Sequence, residues 1–169
     1  CDVEGNFEPT KYKAGTKVAD IKVPKATRTA TDKCTYTFVK WIPELTDVWS
    51  DVIYTPVFDC AVNKYAIKFV VDGKTVESTM YAYGTTAEEI TEPKVENKVT
   101  DKYTYTFKSW DKTITDVKKD VTYTAKFDST LNKYVVKFVS DGEVLSSTKY
   151  AYGTKAADVK APKAEKDAR

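Results

Sequence analysis

A chain of 169 residues has room for one ordinary domain or two to three small ones, and 41% hydrophobic with 31% charged residues is the make-up of a folded, water-soluble protein rather than a disordered one. It contains no histidine, which removes imidazole bases, histidine metal ligands and serine–histidine–aspartate relays. Lys+Arg 27 against Asp+Glu 25 leaves a net charge of +2, spread as lysine with Arg28 and Arg169 the only arginines. No basic patch for nucleic acid is present, and no apolar run nears the ~20 residues of a membrane span.

Self-similarity sets the frame in which each segment is read. Asn63-Lys64-Tyr65 recurs as Asn132-Lys133-Tyr134 (132 − 63 = 69), and Tyr81-Ala82-Tyr83-Gly84-Thr85 recurs as Tyr150-Ala151-Tyr152-Gly153-Thr154. The same offset carries Gly15 to Gly84, Pro24 to Pro93, Phe38 to Phe107, Trp41 to Trp110 and Phe58 to Phe127. An unbroken offset implies duplicated units with equal loops. In the frame that starts at Asn-Lys-Tyr, residues 1–62 form a first repeat short of most of its opening strand, 63–131 a complete central repeat, and 132–169 a third that stops before its last two strands. A second frame, about 31–100 and 101–169, leaves an N-terminal remainder instead.

In the central repeat, Tyr65, Ile67, Phe69 and Val71 alternate with Lys68, the pattern of a half-buried strand. Asp72-Gly73 follows at once, and Asp-Gly between two alternating runs signals a hairpin, because both central residues of a type I′ turn need positive φ. The return strand runs from about Lys74 to Tyr83 and is stopped by Gly84-Thr85. Thr85 or Thr86 then caps a short helical turn through Ala87-Glu88-Glu89-Ile90, and Pro93 ends it. A third strand, Tyr103 to Trp110, sets Tyr103, Tyr105 and Phe107 on one face, and Trp110 breaks the alternation, which calls for a bend. The fourth, Val121 to Phe127, turns Val121, Tyr123, Ala125 and Phe127 inward and Thr and Lys outward. This order predicts an α+β, β-dominated fold: tandem small β-grasp-like repeats of 69 residues, each a four-stranded mixed sheet with one short helix.

The run Tyr-x-x-x-Phe, Asp-Gly, Tyr-Gly-Thr, Pro, Tyr-Thr-Phe-x-x-Trp and Val-Thr-Tyr-x-Ala-x-Phe resembles the internalin-type B-repeat, or Listeria-Bacteroides repeat, over the whole chain. The resemblance implies tandem β-grasp modules in large secreted or surface-attached bacterial proteins, serving as stalk, spacer or adhesive segments. It supplies no catalytic residues. Where the family favours a glycine-containing loop before Tyr-Thr-Phe, this chain has Val99-Thr100-Asp101-Lys102 and Thr29-Ala30-Thr31-Asp32.

Several side chains bear on chemistry. Tyr81, Tyr83, Tyr103, Tyr105 and Trp110 would make a stacking platform for sugar rings if exposed, but alternating aromatics on short strands read first as core. Glu88 and Glu89 are adjacent, and neighbours in a helical turn do not face each other. Asp72, Asp101, Asp116 and Asp128 sit in predicted loops without the spacing of a calcium loop, and turn formation accounts for them. Lys64 beside Asn63 raises an isopeptide crosslink, for which a buried lysine is required.

Cys34 stands where the next repeat has Tyr103, and Cys60 where it has Ser129, so both flank one predicted hairpin at facing positions and are expected to be bridged. Cys1, opposite Val70, is a competing partner; a three-cysteine zinc site completed by Asp59 lacks any CxxC pair, and lipidation of Cys1 is a further alternative. No metal or cofactor is expected. The reading is a non-enzymatic extracellular repeat protein whose partners are a protein or glycan at the cell surface, with self-association between repeats as a further mode and neither nucleic acid nor a membrane span involved. The alternative is a carbohydrate-binding module of a secreted polysaccharide-degrading enzyme.

Overall fold

Threonine, valine, tyrosine and lysine alternate along most of the chain, and β-branched and aromatic side chains fit a pleated, half-buried surface. The outcome in the computed structural model, which describes residues 3–4 and 8–163, is a β-dominated protein: 47% of it is strand and 6% helix. In chain order the strands are β1 (Val3–Glu4), β2 (Thr27–Arg28), β3 (Cys34–Ile42), β4 (Thr55–Val62), β5 (Lys64–Val71), β6 (Lys74–Ala82), β7 (Lys98–Val99), β8 (Tyr103–Trp110), β9 (Val121–Leu131), β10 (Lys133–Ser140) and β11 (Glu143–Ala151). Five of them share one sheet in the order β6-β5-β9-β8-β7, while β1-β2, β3-β4 and β10-β11 form two-stranded sheets. The four strands expected for the central segment are all in the larger sheet, which gains a fifth in the two-residue β7 paired with β8. No helix among the described residues is long and apolar enough to cross a membrane.

Asp72 and Gly73 take φ of 48° and 76°, and Asp141 and Gly142 take 48° and 86°, the two consecutive positive values that a tight hairpin needs. The helical elements are three-residue 3-10 turns, Val18–Asp20, Ala87–Glu89 and Ala156–Asp158. At the second, the Thr86 carbonyl accepts from Glu89 N–H at 3.1 Å, and Ile90 already has an extended backbone that sends its side chain inward. A residue committed to the interior so soon after the cap leaves no length for an α-helical turn.

The bend expected at Trp110 is a register shift in the β8–β9 ladder between Phe107 and Ser109, matched by one between Phe38 and Lys40 in β3–β4. An extra residue reverses the alternation beyond it. Phe107 and Trp110, three positions apart, therefore lie on the same side with ring centres 5.2 Å apart, and Phe38 and Trp41 do so at 5.6 Å.

By contacts the chain divides into two compact units. One comprises the residues up to Lys68 with Glu77–Thr91 and Ile114–Thr122; the other comprises Phe69–Val76, Glu92–Thr113 and the residues from Tyr123 onward. In the first unit Ile67, Ile90 and Val117 are buried, and Gly84 N–H donates to the Val117 carbonyl at 2.7 Å. In the second, Phe69 stacks on Tyr123 with ring centres 5.4 Å apart and meets the Trp110 ring at 4.7 Å. Phe69 and Tyr123 are each 1% exposed and Trp110 is 9% exposed, which makes this trio the aromatic core.

Candidate functional site

The five aromatic residues proposed as a platform are placed in three settings. Tyr81 and Tyr83 belong to the first unit, half-buried; the Tyr81 hydroxyl accepts from Thr91 N–H at 3.1 Å, and the Tyr83 ring lies 6.5 Å from that of Tyr65. Tyr103 and Tyr105 belong to the second unit, with rings 6.0 Å apart and inclined at 56°, so they do not share a plane. Trp110 is in the core, its indole N–H donating to Glu92 Oε2 at 2.8 Å.

Cys34 and Cys60 are joined by a disulfide, with Cα atoms 5.4 Å apart. The register differs from the facing one expected: Cys34 is opposite Val62 and Cys60 is opposite Tyr36, so the bridge runs diagonally between β3 and β4. The cause is Asn63. Its N–H donates to the Lys33 carbonyl at 2.9 Å, which sets Cys34 against the end of β4 and leaves Cys60 two residues further along. Cys1 lies outside the described residues.

Asn63 itself does more than sequence reasoning assigned to it. Its side-chain amide donates to the Thr31 and Asp32 carbonyls at 2.8 and 3.1 Å, and its carbonyl oxygen accepts from the Thr35 hydroxyl at 2.8 Å. Tyr65 adds a hydroxyl bond to the Asp32 carbonyl at 2.8 Å. The loop Thr29-Ala30-Thr31-Asp32 is thus clamped from the joint between β4 and β5 and from Tyr65 on β5. Asn132 does the same for the Thr100 and Asp101 carbonyls and the Thr104 hydroxyl, with Tyr134 on the Asp101 carbonyl at 2.6 Å. Lys64 is exposed, which removes the buried amine that an isopeptide crosslink requires. The recurring Asn-Lys-Tyr triplet was the available signal; its hydrogen-bonding duty was not legible without the fold.

The carboxylates are used singly. Asp116 accepts from Ala87 N–H at 3.0 Å, Asp72 pairs with Lys98 at 3.3 Å and Asp128 with Lys108 at 3.0 Å. Among the described residues no three His, Cys, Asp or Glu side chains group as metal ligands would. Asp47 is held below the usual carboxylate range by the hydrogen bond from the Lys17 ammonium and then by that from Val18 N–H, and Glu89 by Thr86 N–H and then the Thr86 hydroxyl. Depressed folded-state values stabilise the fold above the ordinary carboxylate range, and that contribution is lost as pH falls through the lowered values. The thermal midpoint is therefore expected to be level above about pH 5 and to fall below about pH 4, with Asp47→Asn reducing the fall. Melts by circular dichroism across this range check it; a midpoint that rises on acidification contradicts it.

A cleft of about 1120 Å³ lies in the first unit, lined by Tyr12, Ile21, Trp41, Leu45, Trp49 and Tyr54 among others. Trp49 is 73% exposed and Ile53, also on its wall, 87%. Sequence reasoning missed this cleft, because alternating aromatics on short strands read first as core and Trp41 is the counterpart of Trp110. Its residues have buried counterparts 69 positions on: Ile21 answers to Ile90, Trp41 to Trp110, Val48 to Val117 and Tyr54 to Tyr123.

No family model matches the chain, and no curated protein does. Among solved structures, the Streptococcal High Identity Repeats in Tandem (SHIRT) domains 3-4 from a cell surface protein align at 21% identity, over 73% of this chain and 83% of that one, with a TM-score of 0.36.

Proposed function

We propose that the chain is a non-enzymatic segment of tandem β-grasp-like repeats of 69 residues, of the B-repeat type, working outside the cell as a spacer or adhesive stretch of a bacterial surface or secreted protein. The observation that carries this reading is the recurrence of whole hydrogen-bonding devices. The tyrosine hydroxyl that receives a backbone N–H ten residues on appears at Tyr12–Lys22, Tyr81–Thr91 and Tyr150–Lys160, at 3.0, 3.1 and 3.0 Å. The carboxylate that receives the first N–H of the 3-10 turn appears at Asp47–Val18 and Asp116–Ala87, at 2.9 and 3.0 Å. Duplicated devices at one spacing belong to units that share a scaffold rather than to one bespoke catalytic pocket. A disulfide suits an oxidising compartment.

Single-molecule pulling tests the reading. A complete repeat should lengthen the chain on unfolding by its extended length, at most about 250 Å at ~3.6 Å per residue, less its folded end-to-end distance. Residues 63–131 expressed alone should melt cooperatively; a fragment with no transition, while residues 101–169 fold, overturns the frame. The carbohydrate-binding alternative draws on the exposure of Trp49 beside Trp41 in the cleft. It requires that soluble oligosaccharides change the tryptophan fluorescence, and that Trp49→Ala abolish the change.

A further inference from the structure

Spread evenly in the sequence, the lysines are sorted by strand alternation. Strands β3 to β11 hold ten lysines and four carboxylates, whereas the whole chain is nearly balanced at +2, so the connecting segments are net acidic. On β5 the core-facing Ile67 and Phe69 are 1% exposed, while Lys64 and Lys68, on the opposite phase of the alternation, are exposed. On β9 the same holds for buried Tyr123 and exposed Lys126. Both strands are hydrogen-bonded on each side, so the exposure of these lysines belongs to a completed sheet with one wet face. The two signs of charge are also used differently. Carboxylates of the connecting segments are taken up by local backbone donors: Asp47 by Val18 N–H, Glu89 by Thr86 N–H, Asp111 by Thr124 N–H, Asp116 by Ala87 N–H and Asp120 by Ala66 N–H. Among the described residues, Lys64, Lys68, Lys74 and Lys126 make no ion pair.

We propose that the lysine-bearing wet faces of the strands bind a linear acidic polysaccharide. The argument is charge complementarity: ammonium groups without carboxylate partners give a face of one sign, and a polyanion neutralises it at little desolvation cost because both partners stay near water. The spacing suits an extended partner. Lys64 and Lys68 are four strand residues apart, about 13 Å at ~3.3 Å per residue, and the same interval recurs at Lys133 and Lys137. The face does not suit nucleic acid. Next to these lysines along the strands are Ala66, Val70, Thr124 and Asp128, which give a base nothing to stack on, and lysine offers a point charge rather than the planar fork of arginine. This inference gives a partner to the adhesive role proposed above and makes no use of the repeat frame.

The test is binding of the full chain to immobilised polygalacturonate, a linear glycan with one carboxylate on each sugar. The parent should bind, and raising NaCl from about 50 to about 200 mM should weaken binding by about tenfold or more, as counterion release from several lysine contacts requires. Replacing Lys64, Lys68, Lys74 and Lys126 together by Gln should lower the affinity at the lower salt by about tenfold or more. Replacing Lys94, Lys112, Lys118 and Lys119, which lie outside the strands, should leave it within about twofold. Each set removes four charges from +2 and leaves −2, so the contrast reads position rather than total charge. All eight side chains are exposed, and Lys64→Gln/Lys68→Gln alone, expected to lose about threefold or more, is the milder form should the set of four melt early. A parent that does not bind at the lower salt, equal losses from the two sets, binding to neutral dextran as tight as to polygalacturonate, or tighter binding to oligodeoxythymidylate overturns the proposal. None of these results alters the pulling pattern or the melt of residues 63–131, on which the repeat reading stands or falls.

Discussion

Trp110→Ala is expected to lower the stability of the segment around it by about 3–5 kcal/mol, the range for truncating a large buried aromatic side chain. The indole is in contact with Phe69 and Phe107, and its N–H is satisfied by Glu92, so truncation opens a void between rings and leaves a carboxylate without its donor. Trp41→Ala should cost about half as much, because a half-buried side chain recovers only part of the transfer free energy on folding. Sequence position makes the two tryptophans equivalent; their depth of burial makes them different. Chemical denaturation of both variants checks the contrast, and equal losses would mean that the cleft around Trp41 is closed in solution.

Reduction of the Cys34–Cys60 bridge is expected to remove about 3.5 kcal/mol from the first unit, the chain-entropy value for a loop with a sequence separation of 26. The effect should be large there because β3 and β4 form a two-stranded sheet, and an isolated pair of strands is marginal in water. Melts with and without a reductant measure it, with Cys34→Ser/Cys60→Ser as the permanently open form. Indistinguishable melts would show that the bridge constrains nothing that the fold does not already constrain.

The strands were legible because period-two alternation survives in β5, β8 and β9, and the hairpins because Asp-Gly admits few other turns. Even the bulge left a trace, in Trp110 falling out of phase. What escaped was set by partners rather than by local pattern. The diagonal disulfide follows from a register fixed at Asn63, β7 is two residues long and exists only through its pairing with β8, and the 3-10 turn follows from the depth of Ile90. The cleft in the first unit was illegible for the same reason. Its aromatic residues are of the same types as those buried in the next segment, so residue type at the shared offset does not tell the two apart.

The asparagine clamps carry a mechanical consequence. Between β4 and β5, and again between β9 and β10, the chain passes through a single residue, and each is tied down on several sides: the Asn63 carbonyl receives Tyr83 N–H at 2.8 Å while its N–H and amide hold the loop before β3. Asn132 is tied in the same way, its carbonyl receiving Tyr152 N–H at 2.8 Å. Tension arriving along one strand enters the following strand with no slack to take up, since a one-residue joint stores almost no extensible contour. Each joint transmits load like a pinned link, and it yields only when its bonds are sheared together.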